Sequence, residues 1–295
     1  MNNYINEFIQ YSKKEKHLAE NSLQAYKRDL VEFLNIMDEK QIFDLRDVKN
    51  TAVVAYLLKL KNDGKSAATV NRKIASLRSF YNFMLMQKHM SENPTNNIKS
   101  PKIERKTIEY LSFEEIDRLL AQPDKSVKGV RDRAILELLY ATGIRVSEII
   151  YTNVEDINLR MGFVTCTGEH GKARIIPMGR PARAALEEYI YETRAKLLKN
   201  ENSEEKALLL NYYGERMTRQ GLWKLLKDYA KIAGIDKLTP QTLRNSFAVH
   251  MIQNGADLKS LQELLGHEDL AATQIYLSVS KNRIKDVYDK SHPRA

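Results

Sequence analysis

Residues 238–276, LTPQTLRNSFAVHMIQNGADLKSLQELLGHEDLAATQIY, contain the signals of two successive helices. Thr239 can cap the first helix, Pro240 suits its first position, and the apolar residues that follow recur every four positions. Asn254-Gly255 is predicted to end this helix. A second, leucine-rich helix then runs to Gly266, which is predicted to end it.

Arg244, His267 and Tyr276 are the residues of this stretch that together suit one chemistry. Arginine binds phosphate oxygens bidentately, histidine transfers protons near neutral pH, and tyrosine can attack a phosphodiester as a nucleophile. On one unbroken helix, the rotation from His267 to Tyr276 would be about 900°, which leaves the two side chains on opposite faces. We therefore expect the chain to turn after Gly266, so that the three side chains can act together.

The motifs of this stretch resemble those of the tyrosine recombinases, the phage integrase family, and most closely its Xer type. The resemblance is carried by the L-R-x(22)-H-x(8)-Y spacing, by LLGH and ATQIY, and by the closing HPRA, and it covers nearly the whole chain. It implies a mainly α protein of two domains: a helical, SAM-like DNA-binding domain, and a mostly helical catalytic domain with a small antiparallel β-hairpin. It also implies strand transfer through a 3′-phosphotyrosyl intermediate.

Length and charge agree with a two-domain protein that binds a polyanion. The chain has 295 residues and a net charge of +9, and the positive excess is concentrated in residues 1–108. Its single cysteine, Cys166, excludes an intramolecular disulfide and a cysteine-rich metal site, and we expect it to be a small buried residue on a strand. With no apolar run that could span a membrane and no signal-peptide pattern, we expect a soluble, cytoplasmic protein.

The predicted domain boundaries follow from changes in composition. Residues 1–98 are predicted to be the helical DNA-binding domain, because apolar residues recur there at helical spacing. Residues 99–108 include the basic segment KSPKIERK and are predicted to be a linker. Residues 109–295 are then the catalytic domain with its C-terminal tail.

One helix of the N-terminal domain, predicted near residues 66–87, is a candidate DNA-binding element. Opposite its apolar stripe lie four polar residues: Lys65, Arg72, Ser76 and Ser79. Small polar residues beside cations suit a close approach to a DNA backbone. By itself the pattern is also typical of an ordinary solvated helix face, whereas the resemblance favours contact with DNA.

Arg145 follows a predicted helix break at Thr142-Gly143, and Glu148 comes one turn later. The simplest interpretation of this spacing is a surface ion pair. The alternative comes from the resemblance, because ATGIRVSEI at residues 141–149 matches the motif of the first active-site arginine.

Two positions depart from the pattern of the family. The resemblance implies a lysine acid on the hairpin between GFVTCT and RIIPM, but Glu169 occupies that position, and Lys172 lies three residues later. Whether Lys172 replaces the missing acid is left open. The histidine expected three residues before Arg244 is Gln241, and an amide cannot transfer a proton near neutral pH.

Two hypotheses remain from the sequence. The first is a site-specific recombinase in which Arg145 and Arg244 bind the scissile phosphate, Tyr276 attacks it and His267 assists. It would act on double-stranded DNA as a homo- or hetero-tetramer with a related recombinase, without a cofactor or a metal. The second, which Glu169 and Gln241 motivate, is a DNA-binding relative of the same fold with weak or no activity, acting in regulation or architecture.

Overall fold

The computed structural model describes residues 2–102, 107–168, 173–198, 204–267 and 269–279. The chain divides into two compact units, Met1–Lys106 and Thr107–Ala295. In the described ranges, the helices are too short or too polar to cross a membrane. Glu169 and Lys172 lie outside these ranges, so the hypotheses about them remain predictions.

The N-terminal unit is built from four helices around an aromatic core. The helices are α1 (Asn2–Lys14), α2 (Glu20–Glu39), α3 (Asn50–Asn62) and α4 (Ala67–Met86). Ser66 caps α4 by accepting a hydrogen bond from the Thr69 amide. The rings of Phe8, Phe33, Phe80 and Tyr81 are buried between the helices and contact one another edge to face or tilted. The predicted helical character of this region is confirmed.

The second unit is also mostly helical. Its helices are α5 (Phe113–Leu120), α6 (Val127–Thr142), α7 (Val146–Tyr151), α8 (Arg180–Glu188), α9 (Arg194–Leu197), α10 (Arg219–Ala233), α11 (Pro240–Gln253), α12 (Leu258–Leu265) and α13 (Ala271–Gln274). A π-helical turn, Tyr189–Thr193, joins α8 to α9, and a 3₁₀ turn, Ile275–Val279, follows α13. The apolar helix α6 lies at the centre and packs against α8 and α11. It therefore brings α11, late in the sequence of the unit, next to a helix near its start.

A small antiparallel sheet completes this unit, as the resemblance implied. Its strands, in the order β1-β2-β3, are Ile157–Asn158, Phe163–Thr167 and Ala173–Pro177. The register pairs Val164 with Ile176 and Cys166 with Arg174. Cys166 is buried, as predicted, and burial raises the pKa of its thiol to about 12.

The predicted helix ends near the site are confirmed. Thr239 caps α11 by accepting from the Thr242 amide, and Pro240 begins that helix. Gly143 and Gly266 follow α6 and α12 in the left-handed conformation, with φ of 56° and 62°. At these positions a residue with a side chain would be strained, so both glycines set where the chain turns toward the site.

Candidate active site

Arg145 is positioned by the break between α6 and α7. It is the residue before α7, and its backbone amide donates to the Glu148 carboxylate at 2.8 Å. Its guanidinium donates to the same carboxylate at 3.0 Å, so the predicted ion pair is present. The guanidinium also donates to the Gly266 carbonyl at 2.6 Å, 121 residues away in sequence. This second contact brings Arg145 to the end of α12 and the LLGH motif.

Arg244 reaches the same place from α11. Its side chain is buried and donates to the carbonyls of Gly143 and Leu265, the latter at 2.7 Å. Both carbonyls lie at the C-terminal ends of helices, where backbone acceptors lack helical partners and the helix dipole favours a cation. Burial and the charge of Arg145 lower the pKa of Arg244 to about 10, so the guanidinium remains charged at neutral pH.

A third arginine, Arg174 on β3, joins this cluster. It donates to both oxygens of the Glu148 carboxylate, at 2.7 and 2.8 Å, and through Nε to the Leu264 carbonyl at 2.9 Å. Although burial opposes the charged form of Glu148, its bonds with Arg174 and Arg145 outweigh burial and hold the carboxyl pKa below the usual value. Glu148 therefore stays ionised and orients two arginines at once.

The end of α12 is the shared anchor of the cluster. The carbonyls of Leu264, Leu265 and Gly266 are consecutive, and each accepts a hydrogen bond from a different arginine: Arg174, Arg244 and Arg145 respectively. The three cations are thus held mostly by neutral acceptors. Among the hydrogen bonds of the described residues, Glu148 is the one carboxylate of this cluster, and it bonds Arg145 and Arg174. The cluster carries an excess of about two positive charges and is suited to bind an anion.

His267 lies directly against Arg244. An Arg244 nitrogen is 3.0 Å from His267 Nε2, and Nδ1 is 2.9 Å from the Thr273 hydroxyl. Because a guanidinium can only donate, Nε2 must accept, and the imidazole proton is therefore on Nδ1. Burial and the charges of Arg244, Arg145 and Arg174 lower the pKa of His267 to about 4. The ring is neutral at physiological pH.

Tyr276 is buried beside α11, where its ring packs in a cluster that includes Phe247, Leu261 and Leu265. The chain does turn between His267 and Tyr276, as expected, through α13 and the 3₁₀ turn that follows. The hydroxyl donates to Asn245 Oδ1 at 3.1 Å. Burial raises the pKa of Tyr276, and the charges of Arg244 and Arg145 partly offset this rise.

Gln241 lies one turn before Asn245 on α11 and donates to the same Oδ1 at 2.9 Å. The side chain of Gln241 is exposed, and hydrogen bonds of the described residues link it to Tyr276 through Asn245. The position that the resemblance assigns to a histidine therefore holds an amide that supports another amide.

The four residues predicted to contact DNA in the N-terminal unit have different environments. Lys65 is exposed, Arg72 is exposed but ion-paired with Asp29, and Ser79 accepts from Lys16 at 3.2 Å. The predicted position of Ser76 on the solvent-exposed face of α4 was wrong. Its side chain is fully buried, and its hydroxyl donates to the Lys73 carbonyl at 2.9 Å, because this side of α4 packs against α2 rather than solvent.

Two residues that orient the site, Arg174 and Thr273, were not predicted. A signal for Arg174 was present, since it alternates in phase with the buried Ile176 on β3, and a cation at an inward position needs a partner. Thr273 carried no such signal, because threonine is common on helix surfaces.

The chain is similar to known proteins over nearly its whole length. Residues 109–283 match the model of the phage integrase family, and residues 5–89 match the model of the phage integrase N-terminal SAM-like domain. Tyrosine recombinase XerD of Oceanobacillus iheyensis is 46% identical over 99% of this chain and 98% of its own length. Tyrosine recombinase XerD of Listeria innocua is 43% identical, with both chains fully covered.

Solved structures show the same fold. XerH site-specific recombinase bound to a palindromic difH substrate aligns with a TM-score of 0.75 at 22% identity, covering 96% of this chain and 83% of that chain. The Tn1549 transposon integrase in complex with a circular intermediate DNA also aligns at 0.75, with 16% identity, covering 96% and 99%. The family models and the full-length relatives establish that this chain belongs to the phage integrase family, as a site-specific tyrosine recombinase of the Xer type.

Proposed function

We propose that Tyr276 is the nucleophile that cuts one strand of a double-stranded DNA site, and that Arg145 and Arg244 bind the scissile phosphate. Attack forms a bond between the tyrosine Oη and phosphorus and breaks the bond to the 5′-oxygen, leaving a 3′-phosphotyrosyl link. Reversal with a different 5′-hydroxyl rejoins the strands. Because each phosphodiester is exchanged for another, the scheme needs neither a nucleotide nor a metal.

The observation that carries this proposal is the charge balance of the arginine cluster. A phosphodiester has one negative charge, and attack by a phenolate gives a pentacoordinate transition state with about two. The cluster offers three fixed cations against the carboxylate of Glu148, and carbonyls hold the cations before any DNA arrives. Donors that are already oriented where charge develops stabilise the transition state more than the substrate.

In this proposal, His267 hydrogen-bonds the phosphate once DNA is bound. Before DNA binds, it is not a proton donor to the phosphate. Its Nδ1 proton is directed to Thr273, and its Nε2 accepts from Arg244. With a pKa of about 4, the ring is neutral before the phosphate binds. A bound phosphate places negative charge beside the ring and favours the imidazolium, so His267 can donate to a phosphate oxygen only after DNA enters.

The leaving 5′-oxygen also needs a proton, and Lys172 is the candidate donor. Proton transfer by a placed side chain is worth about 10²–10⁴ in rate. We expect Lys172→Ala to slow cleavage of an ordinary substrate by roughly this factor, and a 5′-phosphorothiolate substrate, whose leaving group needs no proton, to restore the rate. Normal cleavage by Lys172→Ala would place the donor elsewhere. If the parental protein cleaves only the activated substrate, the site has no working acid, and Glu169→Lys is then the restoring change to try.

The same proposal includes assembly. We propose that the protein works in the cytoplasm as a homo- or hetero-tetramer on two DNA sites, with the segment after Tyr276 docking on a neighbouring subunit. Truncation after Ser280 should leave binding to a single site intact and weaken the two-site complex. Full-strength tetramers of the truncated protein in sedimentation on paired sites would contradict this role of the tail.

The direct test of the nucleophile uses a nicked suicide substrate, which traps the covalent adduct. The parental protein should form a DNA adduct at Tyr276, and Tyr276→Phe should form none while its DNA affinity is nearly unchanged. Tyr213→Phe, which changes an exposed tyrosine, is the matched control and should retain the adduct. An adduct in Tyr276→Phe would assign the nucleophile to another residue. No adduct in the parental protein would favour a DNA-binding role without strand transfer.

A further inference from the structure

The hydroxyl of Tyr276 has a hydrogen-bond partner that cannot take its proton. The hydroxyl donates to Asn245 Oδ1 at 3.1 Å, and Gln241 Nε2 donates to the same oxygen at 2.9 Å. Both partners on α11 are amides, which do not titrate near neutral pH. Tyr276 is 2% exposed. Among the described residues, its hydroxyl is thus held by a network of two neutral amides.

The orientation of the Asn245 amide is set by a third contact. Its Nδ2 lies 2.9 Å from the backbone carbonyl of Glu109, at the start of the second unit. A carbonyl can only accept, so the nitrogen of the amide must face Glu109 and the oxygen must face Tyr276. The hydrogen bond from Gln241 Nε2 to this oxygen agrees with the same orientation. In this arrangement Asn245 offers Tyr276 an acceptor and no donor.

An acceptor without a donor stabilises one form of the phenol only. The protonated hydroxyl gains a hydrogen bond from Asn245, whereas a phenolate oxygen would face the partial negative charge of Oδ1. We propose that Asn245 is a positioning residue that holds the Tyr276 hydroxyl in its protonated form and so restrains the nucleophile until the amide is displaced. The proposal rests on the proposed role of Tyr276 as the nucleophile.

The restraint has a defined route of release. During cleavage the Oη–P bond forms and the P–O5′ bond breaks, the phenol proton leaves to water, and the 5′-oxygen gains a proton from water or the proposed acid. If the contact with Glu109 breaks, the amide can turn away from Tyr276, and the phenol then loses the acceptor that favours its protonated form. The bond to the Glu109 backbone therefore keeps the restraint in place.

The charged groups that act on the phenol oppose this restraint. Arg244, beside Asn245 on α11, and Arg145 both favour the phenolate. His267, which contacts Arg244, is neutral above a pH of about 4 and adds no charge in the range where tyrosine titrates. Glu148 is paired with Arg174 and Arg145. A change confined to Asn245 therefore tests the amide while the charges stay constant.

The first experiment titrates Tyr276 in the free protein, without DNA. Tyrosine labelled with ¹³C at Cζ is followed by NMR across alkaline pH, and the Tyr276 resonance is identified by its loss in Tyr276→Phe. A hydrogen bond of ordinary strength changes an equilibrium by up to about tenfold, so Asn245→Ala should lower the midpoint by up to about one pH unit. Asn245→Asp, with the same shape and a negative charge, should raise it.

The second experiment measures single-turnover cleavage of the suicide substrate at saturating protein and neutral pH. Asn245→Ala should cleave up to about tenfold faster than the parental protein, and Asn245→Asp should cleave more slowly. Gln220→Ala is the matched control, because it removes an exposed amide on α10, outside the site, and it should change the rate less than twofold. If Asn245→Ala does not fold, Asn245→Ser, whose hydroxyl can donate to a phenolate, takes its place.

The two readouts separate the possible failures. Equal midpoints in the parental, Ala and Asp proteins, or the reverse order, would overturn the proposal whatever the activity. A slower rate in Asn245→Ala would also overturn it, because Asn245 would then be aiding attack. If the midpoints shift as expected and no protein forms an adduct, the restraint stands and the role of Tyr276 as nucleophile fails.

Discussion

The two units of this protein each contain a cluster of charged side chains, and the two clusters differ in their charge balance. In the N-terminal unit, Asp29 accepts hydrogen bonds from Arg72 and Lys73, and Lys73 also pairs with Glu32 at 2.7 Å. Two cations meet two carboxylates, so the charges cancel within this cluster. In the second unit, Glu148 pairs with Arg145 and Arg174, and helix-end carbonyls supply most of the other bonds of the three arginines.

The difference shows how a protein can bury cations for structure or for binding. A balanced cluster has no unmet charge, and its contribution is to the fold of α2 and α4. A cluster anchored by carbonyls fixes the geometry of the guanidinium groups while leaving their charge uncompensated, which is what an anionic substrate requires. Disrupting the balanced cluster should therefore lower the free energy of unfolding. Disrupting the arginine cluster should lower the cleavage rate.

The largest expected effect is on stability, from Asp29→Ala. The change leaves the buried Lys73 without its buried carboxylate, and breaking a buried ion pair costs about 3–5 kcal/mol. We expect urea unfolding followed by circular dichroism to show this loss in the N-terminal transition, with cleavage per folded molecule unchanged at saturating DNA. Asp38→Ala, an exposed carboxylate on the same helix, is the control and should stay within about 0.5 kcal/mol.

Arg244→Lys should disrupt the second cluster and reduce the cleavage rate rather than the stability. Lysine keeps the charge but loses the planar fork that bonds both Gly143 and Leu265. Losing one such oriented donor costs about 10²–10³ in rate, so we expect single-turnover cleavage to fall by this factor. Arg46→Lys makes the same substitution in an ion pair of the N-terminal unit, with Asp44, and should leave the rate unchanged. Parental recombination by Arg244→Lys would refute the phosphate-binding role of Arg244.

Gly266→Ala tests whether the end of α12 positions the arginines. An added Cβ would lie 2.9 Å from Arg174 Nη1, and that guanidinium cannot move away without losing Glu148 or Leu264. Misplacing it should slow cleavage by roughly 10- to 100-fold. Gly234→Ala is a close control, since its φ of 64° gives similar backbone strain and its Cβ would meet nothing within 4 Å. Equal rates in both variants would show that only strain matters.

The smallest expected effect is a pH dependence of stability from His267. Its pKa is about 4 in the folded protein and near 6.5 when unfolded, so the unfolded state takes up the proton first as pH falls. The stabilising contribution is full above a pH of about 6.5 and is lost between about 6.5 and 4. His267→Gln, neutral throughout, should lose less stability between about pH 7 and pH 5 in urea unfolding. If the parental protein and His267→Gln lose the same stability over this pH range, the pKa of His267 is not lowered in the folded protein.

Much of the fold could be predicted because its signals are local. The helix start at Thr239 depends on a contact within four residues, and this cap is present. The turns at Gly143 and Gly266 follow from a preference of glycine itself. Ser76 shows the limit of such reasoning, since helical periodicity places a residue on a face but does not say how far the neighbouring helix α2 extends over it.

The sequence by itself determined which residues could carry the chemistry, because Arg145, Arg244, His267 and Tyr276 stand at spacings typical of the family. Only the tertiary structure decided how they are held. The bonds from Arg174 to Leu264 and from Arg244 to Gly143 span 90 and 101 residues. Those acceptors are backbone carbonyls, which every residue possesses, so no side-chain pattern marks them. Their availability depends on where helices end in space, and that is a property of the packed chain.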